Sequence, residues 1–158
     1  MKIYFACSIR GGRDHAHTYQ ALVTSIKEAG AEVLSELFAD KNIEAKEGTK
    51  HKLTDRDIWE DDIAMIRSAD AVIADVTNAS LGVGYEIAKA EEWGKPVLAL
   101  YQPHPDRRLS AMIAGSTRIV NASYTSPEEA GQAIKAFIAT AQSSEAESNG
   151  SARNLHHE

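Results

Sequence analysis

The stretch Asp70-Ala71-Val72-Ile73-Ala74-Asp75-Val76 has a continuous apolar centre. An alternating pattern would place one face of a strand in water, whereas this run predicts a strand that is covered on both faces. Strands of that kind belong to parallel sheets, because the helices that connect parallel strands pack against both sides of the sheet. The stretch therefore predicts an α/β fold.

Extended and helical segments alternate on both sides of this central stretch. Further strands are predicted at 2–9, 32–38, 96–101 and 118–121, and helices at 14–30, 54–68, 80–93, 109–114 and from 126 onward. Strands and helices in this order predict a doubly wound sheet of about five parallel strands with helices on both faces. Ligands in such sheets bind at the carboxyl ends of the strands, so the loops at 8–14, 75–84 and 101–110 are the candidate binding loops.

The length and composition fit one soluble domain. The chain has 158 residues, of which 43% are hydrophobic and 25% are charged, enough for one core and too few for two domains. Beyond Gln142 the sequence is polar and aperiodic, so a single domain is expected at 1–142 and a disordered polar tail at 143–158. Residues 40–54 also lack a period and predict a loop beside the site.

Charge and cysteine content exclude several classes of function. The net charge of −6 offers no general attraction for a nucleic-acid polymer or an anionic membrane. No apolar run approaches the roughly 18 residues of a membrane span, and residues 1–9 lack the pattern of a secretory signal, so a cytoplasmic location is expected. Cys7 is the single cysteine, which rules out an internal disulfide and a cysteine-based zinc site within one chain.

Two carboxylates fall on the apolar faces of predicted helices. At about 100° per residue, Asp62 lies within the apolar arc of the helix at 54–68, and Glu86 lies on the apolar stripe of the helix at 80–93. The arc comprises Ile58, Trp59, Ile63, Met65 and Ile66, and the stripe comprises Val83, Ala90 and Trp93. A buried, unpaired carboxylate costs several kcal/mol, so each acid must be paired, protonated, hydrogen-bonded or at the wall of a cleft.

For one inward acid, a structural hydrogen bond is the simpler interpretation. Two inward acids on helices that flank the same buried strand favour a functional site. Paired carboxyls divide readily into an ionised nucleophile and a proton donor of raised pKa, which is the equipment for breaking a glycosidic bond.

Two loops carry groups that bind phosphate. Residues 8–13, Ser-Ile-Arg-Gly-Gly-Arg, join a strand to a helix and supply backbone amides, a hydroxyl and two guanidinium groups. The same glycines are explained equally well by a chain reversal. Residues 78–84 open the next helix, where Ser80 is an N-cap and a possible ligand.

Cofactor and metal motifs are absent from the sequence. Gly82-Val83-Gly84 begins like a dinucleotide fingerprint, but Ile87 stands at the place of the third glycine, and no glycine loop continues as a P-loop. His15 and His17 are two apart at a helix start, a pattern typical of surface residues. No cofactor and no metal are therefore expected.

Three separated blocks of the sequence match a known enzyme family. They are Tyr-Phe-Ala-Cys-Ser-Ile-Arg-Gly-Gly-Arg at 4–13, Ser-Leu-Gly-Val-Gly-Tyr-Glu at 80–86 and Leu-Ser-Ala-Met-Ile at 109–113. Together they resemble the 2'-deoxynucleoside 5'-phosphate N-hydrolases of the nucleoside 2-deoxyribosyltransferase superfamily. The resemblance covers about residues 3–120 and departs at Cys7, where glycine is expected.

This resemblance implies a flavodoxin-like, or Rossmann-like, sheet and a homodimer that hydrolyses the bond between base and deoxyribose in a deoxynucleoside monophosphate. Glu86 matches the nucleophile, Asp62 the acid, and Tyr4 a tyrosine that contacts the catalytic carboxylate. The implied substrate-binding residues are Ser8, Ile9, Arg10, Gly12, Ser80, Gly82, Ser110 and Met112. Ser110 is expected to reach into the partner's site.

Two other functions remain open at this stage. One is a transferase, in which a second base replaces water; the arginines at 8–13 disfavour it, because the transferases of the superfamily act on unphosphorylated nucleosides. The other is a non-catalytic nucleotide-binding module. Two inward acids disfavour that module, since an anionic phosphate gains nothing from further negative charge nearby.

Overall fold

Five parallel strands form one sheet in the computed structural model, which describes residues 1–8, 16–35 and 54–153. The strands are β1 (Lys2–Ala6), β2 (Glu32–Val33), β3 (Ala71–Asp75), β4 (Val97–Tyr101) and β5 (Ile119–Ser123). The helices are α1 (Ala16–Glu28), α2 (Asp55–Ser68), α3 (Leu81–Glu92), α4 (Ala111–Ala114) and α5 (Pro127–Arg153). The strand order is β2-β1-β3-β4-β5, which is the flavodoxin-like arrangement and confirms the predicted doubly wound parallel sheet.

The central strand β3 is covered on both faces, as its sequence predicts. All five of its residues are buried. Ala71 and Ile73 belong to the apolar cluster that includes α1 and α5, and Val72 and Ala74 belong to the cluster that includes α2 and α3. The two layers place α2 and α3 together on one face of the sheet.

Caps at their first residues fix where α2 and α3 begin. Thr54 and Asp57 form a capping box: the Thr54 backbone N–H donates to Asp57 Oδ2 at 2.8 Å, and the Asp57 N–H donates to Thr54 Oγ1 at 3.2 Å. The Ser80 hydroxyl accepts from the Val83 N–H at 3.4 Å. Each of these helices follows a strand of the parallel sheet along the chain, so both start at the carboxyl edge, where a ligand is expected.

The edge strand β2 is shorter than its sequence predicts. Its regular pairing ends at Val33, although the prediction extends to residue 38; residues 36–38 lie outside the described part of the chain. The Ser35 hydroxyl accepts from the Phe5 N–H at 2.9 Å and donates to the Phe5 carbonyl at 2.7 Å. A side chain thus replaces the next ladder bonds. Similarly, β1 ends at Ala6, three residues before the predicted end at Ile9.

The last helix, α5, ends later in the chain than the sequence predicts. The structure shows α5 continuing to Arg153, whereas the sequence predicts a disordered tail from residue 143. This segment lacks proline and contains Ala, Glu and Arg, which favour helix. Residues 154–158 and most of the predicted loop at 40–54 lie outside the described residues. Within the described ranges, no helix combines the length and apolar character needed to cross a membrane.

Shortening a buried side chain of β3 should destabilise the fold strongly. Ile73 is 0% exposed, so Ile73→Ala is expected to lower the free energy of unfolding by about 2–5 kcal/mol. The matched control is Val120→Ala on the edge strand, where Val120 is 53% exposed and the loss should stay below about 1 kcal/mol. Urea unfolding followed by circular dichroism measures both. Equal losses would contradict the double burial of β3.

Candidate active site

A hydrogen bond between β1 and α3 marks the centre of the site. The Tyr4 hydroxyl donates to Glu86 Oε1 at 3.1 Å. Tyr4 is buried within the sheet, while Glu86 is half-buried on α3. Burial, and then the negative charges of Glu86 and Asp62, raise the pKa of Tyr4, so its hydroxyl remains a donor across the physiological range.

Glu86 and Asp62 form a coupled pair of carboxyls. Burial raises the pKa of Glu86 to about 7; the charge of Asp62 adds to this rise and the Tyr4 hydrogen bond opposes it. Burial likewise raises the pKa of Asp62 to about 6, with the charge of Asp61 adding to the rise and the Tyr4 hydroxyl opposing it. Between about pH 6 and pH 7 the pair therefore holds about one proton.

One oxygen of this pair lacks a protein partner. Asp62 Oδ1 is buried and accepts no hydrogen bond from the described part of the chain. Buried polar atoms are nearly always hydrogen-bonded, so an orphan oxygen indicates a place for a proton, a water molecule or a ligand group. The adjacent residues Glu60 and Asp61 are exposed, as the helical period predicts.

The topology of the sheet explains why these three residues meet. The chain leaves β1 toward the β2 edge and leaves β3 toward the β4 edge, so a crevice opens between these two neighbouring strands. Helices α2 and α3 both lie on the face to which Tyr4 points. The site therefore occupies the topological switch point of the fold.

The predicted phosphate-binding residues divide into described and undescribed positions. Ser8 is 4% exposed just beyond β1, and Ser80 caps α3 at the same edge of the sheet. Gly82 lies exposed in the first turn of α3. The remaining predicted residues of this group, Ile9, Arg10 and Gly12, lie outside the described ranges.

Ser110 and Met112 lie at the start of the short helix α4. Ser110 precedes α4 and makes no side-chain cap hydrogen bond, and Met112 is 85% exposed. In the described residues, no hydrogen bond joins Ser110 to Tyr4, Asp62 or Glu86. Their predicted contribution to a partner's site stays a prediction.

An aromatic pair that the sequence did not single out bridges α2 and α3. Trp59 Nε1 donates to the Tyr85 hydroxyl at 3.3 Å, and the two side chains are 50% and 46% exposed. Trp59 was expected in the apolar arc of α2, but it lies half in solvent, one turn before Asp62. Lys89 stacks over the Tyr85 ring at 5.8 Å. The available sequence signal was proximity, since Tyr85 directly precedes Glu86 and Trp59 lies three residues before Asp62.

Cys7 is buried at the end of β1. Burial, followed by the charges of Asp75 and Glu86, raises the pKa of the Cys7 thiol to about 12, so this residue behaves as a small apolar side chain. In the part of the chain that the structure describes, no cluster of three or more His, Cys, Asp or Glu could hold a metal ion.

Comparisons with known proteins agree with this architecture. The family model described as nucleoside 2-deoxyribosyltransferase matches residues 3–154. The 5-hydroxymethyl-dUMP N-hydrolase of Mus musculus is 45% identical over 114 residues, which span 72% of this chain and 65% of the mouse protein. The enzyme of the same name from Tetraodon nigroviridis is 43% identical over 116 residues, spanning 73% of this chain and 80% of its own length.

Solved structures share the fold at low sequence identity. The Clostridium botulinum CMP N-glycosidase BcmB has a TM-score of 0.62 at 16% identity and covers 87% of this chain and 99% of its own. A 2-deoxyribosyltransferase from Bacillus psychrosaccharolyticus has a TM-score of 0.61 at 17% identity, covering 83% of this chain and 90% of its own. The family match extends over nearly the whole chain, and it confirms the resemblance seen in the three sequence blocks. This chain belongs to the nucleoside 2-deoxyribosyltransferase family.

Proposed function

We propose that this protein hydrolyses the N-glycosidic bond of 2'-deoxynucleoside 5'-monophosphates, releasing a free nucleobase and 2-deoxyribose 5-phosphate. The relatives from Mus musculus and Tetraodon nigroviridis are named for this hydrolysis of 5-hydroxymethyl-dUMP, a nucleotide of the same class. The observation that carries the proposal is the coupled, half-buried pair of Asp62 and Glu86, with Tyr4 donating to Glu86 at 3.1 Å.

The two carboxyls have different roles in the proposed reaction. The Glu86 carboxylate attacks C1', the bond from C1' to the base nitrogen breaks, and its electron pair leaves with the base. Asp62 donates its proton to the departing base. The product of this step is an ester between Glu86 and deoxyribose 5-phosphate.

Water then resolves the ester. The Asp62 carboxylate takes a proton from the water, the water oxygen attacks C1', and the bond to Glu86 breaks. Glu86 returns to its ionised form and Asp62 to its protonated form. Tyr4 orients the nucleophile by binding one oxygen of Glu86, which leaves the other oxygen for C1'.

A protein molecule can react only when the shared proton is on Asp62 and Glu86 is ionised. Burial raises the pKa of both carboxyls, and in one form of the singly protonated pair the proton resides on Glu86. The reactive arrangement, with Glu86 ionised and Asp62 protonated, is the other form of the same singly protonated pair. In this form the Tyr4 hydroxyl, which donates to Glu86 Oε1 at 3.1 Å, stabilises the ionised Glu86.

The 5'-phosphate supplies binding energy away from the bond that breaks. Ser8 and Ser80 lie at the carboxyl edge, together with the first turn of α3. Phosphate bound there would hold the sugar over Glu86, so that binding energy increases turnover as well as affinity.

A homodimer is part of the proposal. Large apolar side chains on and beside α3 and α4 are exposed: Leu81 is 96% exposed and Met112 85% exposed. Large apolar side chains that are this exposed often lie in contact surfaces between proteins. A second copy of the chain would cover them and bring Ser110 into the partner's site.

Substituting Glu86 and Asp62 in turn should distinguish the role of the nucleophile from that of the proton donor. Glu86→Gln is expected to lower base release at least about a thousandfold, and Asp62→Asn about a hundred- to ten-thousandfold. With 7-methyl-2'-deoxyguanosine 5'-monophosphate, whose cationic base leaves without a proton, Asp62→Asn should regain most of the wild-type rate. Glu86→Gln should stay inactive. Chromatography of the free base measures all the rates.

The exposed Glu60→Gln variant is the matched control for these substitutions, because Glu60 pairs with Arg56 at the surface; it should keep wild-type turnover. Undiminished base release by Glu86→Gln would reject the nucleophile. The same assay with a second free base added tests the transferase function that the family description suggests. Faster formation of a new nucleotide than of 2-deoxyribose 5-phosphate would replace the hydrolase with that function.

The pH profile should report the shared proton. We expect kcat/KM to fall below about pH 6, where both carboxyls are protonated, and above about pH 7, where both are ionised. Tyr4 lowers the pKa of both groups, so Tyr4→Phe should move both limbs to higher pH. Rates measured from pH 5 to 9 test this. A flat profile, or a shift to lower pH in Tyr4→Phe, would contradict the coupled pair.

Mixing two inactive variants should restore activity if sites are shared between protomers. Glu86→Gln removes the nucleophile, and Ser110→Asp places a negative charge beside the partner's phosphate. Their heterodimer contains one intact site, so equal amounts should recover about a quarter of the wild-type rate after subunit exchange. Sedimentation velocity checks the assembly. A monomer, or no recovery in a dimer that exchanges, would overturn the shared site.

A further inference from the structure

A buried carboxylate that the proposed reaction does not use lies at the carboxyl end of β3. Asp75 is 1% exposed. It accepts hydrogen bonds from the Tyr124 hydroxyl at 2.6 Å, the Thr77 backbone N–H at 3.2 Å and the Thr77 hydroxyl at 3.2 Å. Burial and the charge of Asp75 raise the pKa of Tyr124, so the Tyr124 hydroxyl stays a donor.

These hydrogen bonds join the carboxyl ends of three strands. The Thr77 hydroxyl also accepts from the Gln102 N–H, just beyond β4, at 3.0 Å. The Tyr124 N–H, just beyond β5, donates to the Tyr101 carbonyl at 3.0 Å. The turn after β3 is therefore held from the ends of both β4 and β5.

The turn after β3 also contacts the loop after β4 and lies near the end of β1. Asn78 Oδ1 accepts from an Arg107 guanidinium N–H at 3.3 Å. Burial raises the pKa of Tyr19 to about 12, and the nearby Asn78 side chain and Ser8 backbone oppose this rise. The Tyr19 phenol is thus near both Asn78 and Ser8, which the sequence predicts at the phosphate.

Burying a carboxylate to hold a turn costs desolvation free energy that an apolar side chain would not incur. An apolar contact of similar volume would avoid the desolvation of a charge and is often equally stabilising. A buried acceptor with three directed donors instead fixes one geometry of the turn, because each donor must point at a carboxylate oxygen. Two residues after Asn78, this turn delivers Ser80, the N-cap of α3.

The position of the turn after β3 determines where Ser80 lies relative to Glu86. Ser80 begins the helix and Glu86 lies six residues further on, about 9 Å along its axis. A displaced turn would move the phosphate-binding end relative to the sugar while the carboxyl pair stays assembled by Tyr4. The buried network therefore acts on one end of the substrate.

We propose that Asp75, Thr77 and Tyr124 are positioning residues that hold Ser80 and the first turn of α3 against the 5'-phosphate of the substrate. This inference rests on the proposed function. Through that position, the three residues set the preference of the protein for a deoxynucleoside 5'-monophosphate over the unphosphorylated deoxynucleoside.

Isosteric removal of single hydroxyls tests the inference. Tyr124→Phe and Thr77→Val should each lower kcat/KM for the monophosphate about tenfold and leave kcat/KM for the unphosphorylated deoxynucleoside unchanged. Thr77→Ser, which keeps the hydroxyl, should restore the wild-type preference. Ile134→Val, in the buried core on α5, is the control: it should lower the melting temperature without changing the preference.

An unchanged preference in both Tyr124→Phe and Thr77→Val would overturn the inference, and so would an equal loss for both substrates, which indicates a merely structural role. Calorimetric titration with 2-deoxyribose 5-phosphate gives the same test without turnover. About tenfold weaker binding by Tyr124→Phe supports the inference, and equal affinity overturns it. A wild-type protein that binds this probe but releases no base overturns only the proposed reaction, and one that does neither overturns both.

Discussion

The pair of half-buried carboxyls is the constraint on which the rest of the site depends. Burial raises the pKa of Asp62 to about 6 and that of Glu86 to about 7, above the ordinary range of either side chain. The folded protein therefore holds more protons than the unfolded chain between roughly pH 4 and 7, and its free energy of unfolding falls as the pH rises through this window. Partial exposure limits this loss to about 1–2 kcal/mol for each group. The pair thus weakens the fold at the pH where its shared proton is useful.

The surrounding fold compensates by fixing the helices that carry the pair. Ile66, one turn after Asp62, is 0% exposed, and Ile87, next to Glu86, is 2% exposed. Both lie in the apolar layer on the face of the sheet to which Tyr4 points. Each acid is therefore attached to an apolar neighbour that holds its helix against the sheet, and Tyr4 reaches the pair from β1.

Local patterns predicted the parts of the structure that local forces determine. The continuous apolar run of β3 predicted its double coverage, and the helical period predicted that Asp62 and Glu86 face inward. Contacts between distant residues carry no such pattern: Tyr4 was assigned through the family resemblance, and the bond from Tyr124 to Asp75, across 49 residues, has no sequence signature. The end of β2 depends on a similar contact, from Ser35 to Phe5. Trp59 fits an apolar arc, but packing leaves it half exposed.

The two halves of the proposed chemistry differ in what holds them. Ser80 caps the helix that carries Glu86, so the distance from the proposed phosphate-binding end to the nucleophile depends on α3 and on the turn that holds Ser80, and not on the packing of α2. The proton donor, Asp62, lies on α2, and its distance from the base depends on how that helix packs against α3. The hydrogen bond from Trp59 to Tyr85, at 3.3 Å, spans these two helices on their exposed side. Nucleophilic attack therefore tolerates small movements between the helices better than proton delivery does. Bases that need little help in leaving depend mainly on α3, whereas poor leaving groups also require the contact between α2 and α3.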